Sequence, residues 1–509
     1  MADDDDVPGV APMGRPMSAA GAIPGARGGP AASAAGAIRG VRPRLRPVEL
    51  GLLGAVAATL LVGAASLGAT VRSRAALEAG ADPGALDLAP LDLRGLLIYL
   101  GALLAVHVAL VVAGRRVDQI LLPAVGMLGG LGLLLMQRLP QSLVTQSFLG
   151  VELGLGQVQL VWLVLALTVI GTLAVAVRSD GWLRLYKYTW AAAGVGLLLA
   201  TFVFGREING QRLTLELGPI SGQPSELLKV ILVVFLAAYL SENRSLLAES
   251  STRLGPFRLP PLPYLAPMVA MWAIALGIVI VQRDLGAALL LFAVFLALLY
   301  VATGRPSYVA GGGVLFLAGG AVLYQLFGHV RTRVDIWLDP FADPFGAGYQ
   351  VIQALYAFGR GGLLGTGLGG GLPTVGGRMP IPAIHTDFPL AALGEELGLV
   401  GLLAILGLYL VVIQRGLRIA SAATDDFRAI LAAGLALVVG VQAFIIAAGN
   451  LKLIPLTGIT LPFISYGGSS LLANALVVGL LLALSALGPE APPPPPRARR
   501  WRPARGGGA

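Results

Sequence analysis

The chain has 509 residues, 56% of them hydrophobic and only 12% charged, with a net charge of +9 and a mean hydropathy of +0.80. Soluble domains carry roughly 25% charged residues, so this is the composition of an all-α polytopic membrane protein, in which a basic excess reads as topology and not as nucleic-acid binding. With no cysteine, and with His107, His329 and His385 as its three histidines, the chain excludes disulfides, iron–sulfur clusters and thiol nucleophiles, and shows no zinc-ligand spacing.

Residues 1–48 are Gly-, Ala- and Pro-rich, with the acidic run Asp3–Asp6 and the cluster Arg39, Arg42, Arg44 and Arg46. This predicts a disordered cytoplasmic tail, and without an apolar stretch before residue 50 no cleavable signal peptide is expected. Twelve apolar segments follow, each long enough to cross a bilayer. They lie near 50–70, 95–114, 119–137, 157–178, 187–204, 223–241, 265–282, 285–303, 309–328, 388–413, 427–448 and 467–488. Residues 489–509 form a second tail, Pro492–Pro496 followed by five arginines, suited to anionic lipid or a partner, or simply solvated. Lys and Arg concentrate in alternate short loops, among them Arg115, Arg116, Arg178, Arg184, Lys187, Arg244, Arg305, Arg415, Arg418 and Arg428. That bias places both termini in the cytoplasm and Asp284 outside.

The loop 329–387 is too long for a passive linker. Its aromatics, from Trp337 to Phe358, argue against disorder. The stretch Tyr349–Phe358 predicts a short interfacial helix, the whole loop a folded cap over the outer mouth, and its many glycines a nest able to cradle phosphate.

Four polar constellations sit at predicted outer helix ends. In Gln223-Pro-Ser-Glu226-Leu-Leu-Lys229 three polar residues step by three along one helix face, and Glu226 and Lys229 can pair. Asp284 lies in Gln282-Arg283-Asp284-Leu-Gly286, between two runs whose summed length demands two helices and a tight turn. It is either an N-cap or a working carboxylate. His385-Thr-Asp387-Phe precedes Glu395-Glu396. The eight-residue step from Asp387 to Glu395 predicts two acids on one helix face. In the last constellation, Pro462 and Gly467-Gly468 break a helix beside Ser465, Tyr466, Ser469 and Ser470, and broken backbone at membrane depth lines a cavity or is buried. Together these predict a cavity open to the outside, for a substrate with an apolar part and a head bearing phosphate or hydroxyls.

At these motifs, from about residue 119 to 488, the sequence resembles the SEDS family, known as FtsW and RodA. The matching features are Gln223-Pro-Ser-Glu226-x-x-Lys229, Asp339-Pro-x-x-Asp343-Pro-Phe-Gly346-x-Gly348-Tyr349-Gln350, Gly359-Arg360-Gly-Gly362, His385-Thr-Asp-Phe388, Glu395-Glu396-Leu-Gly398 and Leu461-Pro-Phe-Ile-Ser-Tyr-Gly-Gly-Ser-Ser470. The resemblance implies a ten-helix core over residues 119–488 and makes residues 49–118, with two helices, an amino-terminal addition. It implies a peptidoglycan glycosyltransferase that polymerises lipid II, the undecaprenyl-pyrophosphate disaccharide-pentapeptide. It also implies a class B penicillin-binding protein as partner, with other divisome or elongasome membrane proteins, in the bacterial cytoplasmic membrane. Asp284 becomes the catalytic acidic residue, a general base for the attacking sugar hydroxyl. Lys229, Arg283 and Arg360 become the cations for the leaving pyrophosphate, and Gln223, Glu226, Gln350, His385, Asp387, Glu395, Ser465, Tyr466 and Ser469 line the substrate site. A divalent cation, Mg2+ or Mn2+, held by Asp284 or Glu395 is a further expectation, although no dedicated cage is visible.

Two departures stand out. Members often have Gln-Pro-Asp-x-Gly where Arg283 replaces the proline here, and no tryptophan follows Asn209-Gly210. Asp339-Pro-Phe and Ala357-Phe-Gly-Arg360 lean toward the division type. A lipid II flippase is the alternative from another class, and a non-catalytic scaffold recruiting a transpeptidase is a third. The bare inner halves of the late helices weigh against a path through the whole membrane, and a scaffold needs no embedded acids.

Overall fold

A computed structural model describes residues 43–79, 93–148, 151–208, 211–217, 220–248, 252–254, 257–259, 262–371 and 379–487. Both predicted tails beyond these limits, the Asn209-Gly210 pair and Arg378 lie outside the described residues. The chain from Pro43 onward forms one unit.

The helices are α1 (Pro47–Ala79), α2 (Arg94–Val112), α3 (Leu121–Arg138), α4 (Leu155–Ala176), the short α5 (Gly181–Leu185), α6 (Lys187–Phe204), α7 (Pro224–Ala248), α8 (Leu262–Val281), α9 (Leu285–Thr303) and α10 (Pro306–Leu326). After them come α11 (Gly328–Leu338), α12 (Tyr349–Gly361), α13 (Pro389–Ser421), α14 (Asp426–Asn450) and α15 (Gly468–Ser485). Among the described residues 11 helices are long and apolar enough to cross a membrane, and the apolar part of α8, Ala266–Val281, is a shorter twelfth. The protein is a multi-pass membrane protein, and each predicted segment corresponds to one of these helices. Three small antiparallel ribbons add to the loops: β1 (Gln146–Phe148) with β2 (Val151–Leu153), β3 (Arg206–Ile208) with β4 (Gln211–Leu217) and β5 (Ile220–Gly222), and β6 (Thr252–Leu254) with β7 (Phe257–Leu259). Three- and seven-residue strands carry too little period-2 signal to stand out in a sequence dominated by apolar helices.

Burial separates centre from rim. In the most apolar windows of α3 and α7, 83% and 78% of residues are buried, whereas in α10 none are, so α10 faces outward and the first two form the core with α14 and α15. Helices that compete with equally apolar lipid gain from close packing and internal polar bonds, not from hydrophobic burial.

The added pair α1–α2 docks on this core. α1 packs on α3, and α2 on α4. Tyr99 donates to the Gly126 carbonyl at 2.7 Å. A buried cluster pins the other end: Arg46 and His107 both pair with Glu49, which is completely buried. The Arg46 guanidinium also donates to the Val117 and Asp118 carbonyls at 3.0 and 2.9 Å. A carboxylate this deep is retained only because it is paired and bonded.

The predicted cap is folded. Residues 328–371 hold α11, a short 3-10 turn at Pro340–Ala342 and α12, so a helix forms over the expected stretch and runs from Tyr349 to Gly361.

Candidate active site

The turn between α8 and α9 organises one end of the bundle. Arg283 takes a left-handed conformation, φ 64°. Its N–H bonds the Ile280 carbonyl at 2.9 Å, and the Asp284 N–H bonds the Val279 carbonyl at 3.1 Å. This pair of bonds is the Schellman stop of a helix, with arginine in the position usually given to glycine. A proline, held near φ −65°, cannot occupy it, so the departure at Arg283 belongs to a different turn geometry. Asp284 then caps α9: one carboxylate oxygen accepts the Ala287 N–H at 3.0 Å. The other accepts Gln223 Nε2 at 3.3 Å and Ser225 Oγ at 3.2 Å. Asp284 is thus an N-cap through one oxygen, and the other oxygen is held by side chains at the start of α7. Gly286 seats the segment 455–459 against this turn, since a Cβ there would lie 2.3 Å from Ile459 Cγ2 and 2.7 Å from the Thr457 carbonyl oxygen.

Around the Asp284 carboxyl the environment is mixed. Burial pushes its pKa above the ordinary carboxylate range, and the nearby Glu226 charge adds to this. The Ala287 N–H, the Ser225 hydroxyl and Arg333 pull it part of the way back. Arg333, on α11, donates to the Leu456 and Thr457 carbonyls at 3.0 and 2.8 Å. It lies near enough to act on both Asp284 and Asp387. Arg333, Gln350 and Asp387 line one cavity of about 390 Å³, together with Trp337 and Lys452.

Two sequence expectations change here. Asp387 precedes α13, whose first residue is Pro389, so it shares no helix face with Glu395. It faces the Arg333 cavity, while Glu395 accepts Arg360 Nε at 2.8 Å on the other side of the cap. With proline at N1 the helical register begins two residues after Asp387, which is why an eight-residue count misleads. Lys229 is also differently employed. It is 2% exposed and donates to Glu226 at 2.6 Å, Gln442 Oε1 at 2.7 Å and Asn474 Oδ1 at 3.3 Å. All three ammonium protons have protein acceptors, so Lys229 ties α7 to α14 and α15 instead of reaching for a phosphate.

The Gly-rich segment after α12 is built into α13. Gly398 breaks that helix with φ 66° and ψ −170°. Across the break, Leu399 and Val400 donate to the Gly362 and Leu363 carbonyls at 2.9 and 3.1 Å, and Thr366 and Gly367 donate to the Glu395 and Glu396 carbonyls at 3.0 and 2.9 Å. The segment therefore satisfies backbone that a broken membrane helix leaves open. Glu396 pairs with Arg138 from α3, which also donates to the Gly371 carbonyl at 2.7 Å. Leu67 and Thr70 of α1 lie against Gly369 in this segment.

His385 and Tyr466 meet with ring centroids 6.0 Å apart. Burial lowers the His385 pKa, so its imidazole is neutral at pH 7. The Ser465 hydroxyl donates to the Thr386 carbonyl at 2.7 Å, and Ser469 Oγ accepts the Gln223 N–H at 2.9 Å. Both serines brace the loops around the mouth.

Residues 119–487 match the profile of the FtsW/RodA/SpoVE family, described as "Cell cycle protein". The chain belongs to the FtsW/RodA/SpoVE family. Among relatives of this family, the peptidoglycan glycosyltransferase RodA of Mycobacterium tuberculosis is 40% identical over 382 residues, covering 74% of this chain and 80% of that protein. An FtsW of Geobacter sulfurreducens is 37% identical, covering 63% of this chain and 83% of that protein. A solved chain from a peptidoglycan synthase complex that coordinates polymerization and crosslinking is similar with a TM-score of 0.55 and 30% identity, covering 73% of this chain and 98% of that chain. The family match begins at residue 119, so α1 and α2 lie outside it.

In this FtsW/RodA/SpoVE-family protein the structure joins Gln223 to Asp284, and Arg333, within electrostatic reach of Asp284, lines one cavity with Asp387 and Gln350. Arg360 and Glu395 form a second cluster, and Lys229 and Glu226 a buried strut beneath. The sequence reading passed over Arg333, Gln442 and Asn474. Arg333 is one of several basic residues in the long loop 329–387, with nothing local to single it out. Gln442 and Asn474 were single polar residues in apolar runs, where an in-membrane amide is itself a signal. For a divalent cation the fit is partial. Among the described residues no three His, Cys, Asp or Glu side chains group to hold one, and both Asp284 oxygens already accept protein donors. The residues fit only a cation whose remaining ligands come from the substrate's own pyrophosphate.

Proposed function

We propose that this protein polymerises lipid II at the outer face of the bacterial cytoplasmic membrane, with Asp284 as general base. It is a peptidoglycan glycosyltransferase of the FtsW/RodA/SpoVE family; the lipid substrate, the outward orientation and the residue roles are the proposal. The observation that carries it is the half-buried Asp284 carboxyl within electrostatic reach of Arg333, which itself lines the cavity of about 390 Å³. Asp284 takes the proton of an acceptor sugar hydroxyl. The oxygen attacks the anomeric carbon of the donor, and the bond from that carbon to the pyrophosphate breaks, its electron pair leaving with the lipid pyrophosphate. Arg333 and Arg283 supply positive charge where the leaving group's charge develops. A divalent cation would add to that charge when it arrives with the substrate. Glu226, the carboxylate whose charge acts on Asp284, is tied to Lys229, which favours one direct, inverting displacement over a covalent intermediate. A class B penicillin-binding protein is the proposed partner, because a strand polymerase needs a transpeptidase to link its product. The higher identity to RodA weighs toward elongation.

The test is lipid II polymerisation by the purified protein with its penicillin-binding protein, wild type against Asp284→Ala, with and without EDTA. Glycan strands from wild type alone support the base, and their loss in EDTA supports the cation. Undiminished strands from Asp284→Ala sink the assignment. Absent polymerisation with intact transfer of labelled lipid II across vesicles moves the reading to a flippase.

A further inference from the structure

Four arginines gather at the end of the bundle away from Asp284. Arg116, Arg415, Arg418 and Arg428 line a cavity of about 340 Å³ whose wall includes the apolar Val117 and Ile419. It lies where three spans end: α13 stops at Ser421, α14 starts at Asp426 and α15 stops at Ser485. That is the depth of lipid headgroups, with hydrocarbon immediately beside it.

Two of the arginines are fixed in place. Asp118, which caps α3 through the Ile120 and Leu121 N–H groups at 2.9 and 3.0 Å, also receives Arg415 Nε at 2.9 Å. Asp180 grips Arg428 with two bonds of 2.8 Å, and both partners are buried. The other two, Arg116 and Arg418, are exposed, and their guanidiniums form no hydrogen bond or ion pair among the described residues. Topology asks only that basic residues stand in loops. It does not ask for a cavity with two pinned arginines, two that are unpaired among the described residues, and apolar side chains in the same wall.

We infer that this cavity binds a phosphate-bearing anion, and that the anion is the headgroup of an acidic phospholipid whose acyl chains lie along α13, where Leu410 and Leu417 are exposed. A guanidinium matches phosphate oxygens with paired N–H donors, and basic pockets between membrane helices hold anionic headgroups. The apolar wall and the depth favour a lipid over a soluble phosphate, which would gain nothing from either. Arg116 and Arg418 are the residues that make the contact; Arg415 and Arg428 hold the cavity's shape and potential.

Native mass spectrometry tests this on the full chain in neutral detergent, titrated with phosphatidylglycerol, with phosphatidylcholine of the same acyl chains, and with inorganic phosphate. One molecule of phosphatidylglycerol is expected to be retained in preference to phosphatidylcholine. Arg116→Gln with Arg418→Gln should weaken that retention by about thirty-fold, taking roughly fivefold for each basic residue at a membrane surface. Arg116→Lys with Arg418→Lys should recover most of it. Thermal unfolding of each variant checks the fold without depending on the lipid. Equal retention by the double Gln variant at an unchanged unfolding temperature overturns the site, and so does equal retention of the two lipids by wild type. Displacement of phosphatidylglycerol by millimolar inorganic phosphate overturns the lipid assignment in favour of a soluble ligand.

Discussion

Replacing Gly286 by alanine tests whether the segment 455–459 must sit where it does. The added Cβ would lie 2.3 Å from Ile459 Cγ2 and 2.7 Å from the Thr457 carbonyl oxygen, whereas contacts between such atoms normally settle near 3.5 Å, so the segment has to retreat by about 1 Å. Ile459 can turn its side chain; the Thr457 carbonyl is backbone and cannot. That carbonyl holds Arg333 at 2.8 Å, and a 1 Å retreat stretches the bond past useful length. Overpacking of this kind costs about 1–3 kcal/mol, and a 1 Å misplacement at a reacting centre costs on the order of a hundredfold in rate. Gly286→Ala is therefore expected to lower kcat/KM for lipid II polymerisation by between about 10- and 100-fold, with a modest fall in Tm. Both are read on the same preparation, by gel analysis of glycan strands and by thermal unfolding. Adding Ile459→Ala should restore only part of the activity. Wild-type turnover in Gly286→Ala, or complete rescue by Ile459→Ala, would show that Arg333 is not positioned through Thr457.

Other consequences follow from the same mouth. Asp284→Asn keeps a good N-cap, so the fold should hold within a few tenths of a kcal/mol, while loss of the base should cost about 10²–10⁴ in rate; equal losses in stability and rate would return Asp284 to a purely structural role. Because burial raises the Asp284 pKa and the base works ionised, activity should fall as pH drops through a value above the ordinary carboxylate range of about 4. This acid limb, read in kcat/KM against pH, should vanish in Asp284→Asn. Arg283→Pro cannot adopt the left-handed turn and should unfold or inactivate the protein, whereas Arg283→Gly should keep the unfolding temperature or raise it. Lys229→Met leaves Glu226, Gln442 and Asn474 without their shared donor, and a loss of about 3–5 kcal/mol in unfolding assays is expected; a stable but inactive variant would instead show that Lys229 reaches substrate.

The helices were legible because twenty apolar residues admit few alternatives in a bilayer, and the turn at Asp284 because α8 and α9 together are too long for one span. The candidate site was legible where a charge interrupts an apolar run, as at Asp284. It was not legible where a polar residue in a loop gains its meaning from distant partners. Arg333 lies over 40 residues from Asp284 in sequence, and only the packing of α11 on the 455–459 segment brings them together. Lys229 misled for the complementary reason: its acceptors, Gln442 and Asn474, come from helices more than 200 residues away. The Gly-rich segment suggested a phosphate nest, but a one-residue break at Gly398 gives its backbone another partner.

That break has an evolutionary corollary. Four hydrogen bonds, two from each side of it, join two stretches that the sequence separates by about 30 residues. Neither stretch can lengthen, shorten or stiffen alone without orphaning peptide groups at membrane depth. Substitutions at Gly398 and in Gly362–Gly367 should then be strongly non-additive: in a double-mutant cycle, the second change should cost far less than it does in the wild-type background. Among relatives, the two stretches should drift as one inherited unit.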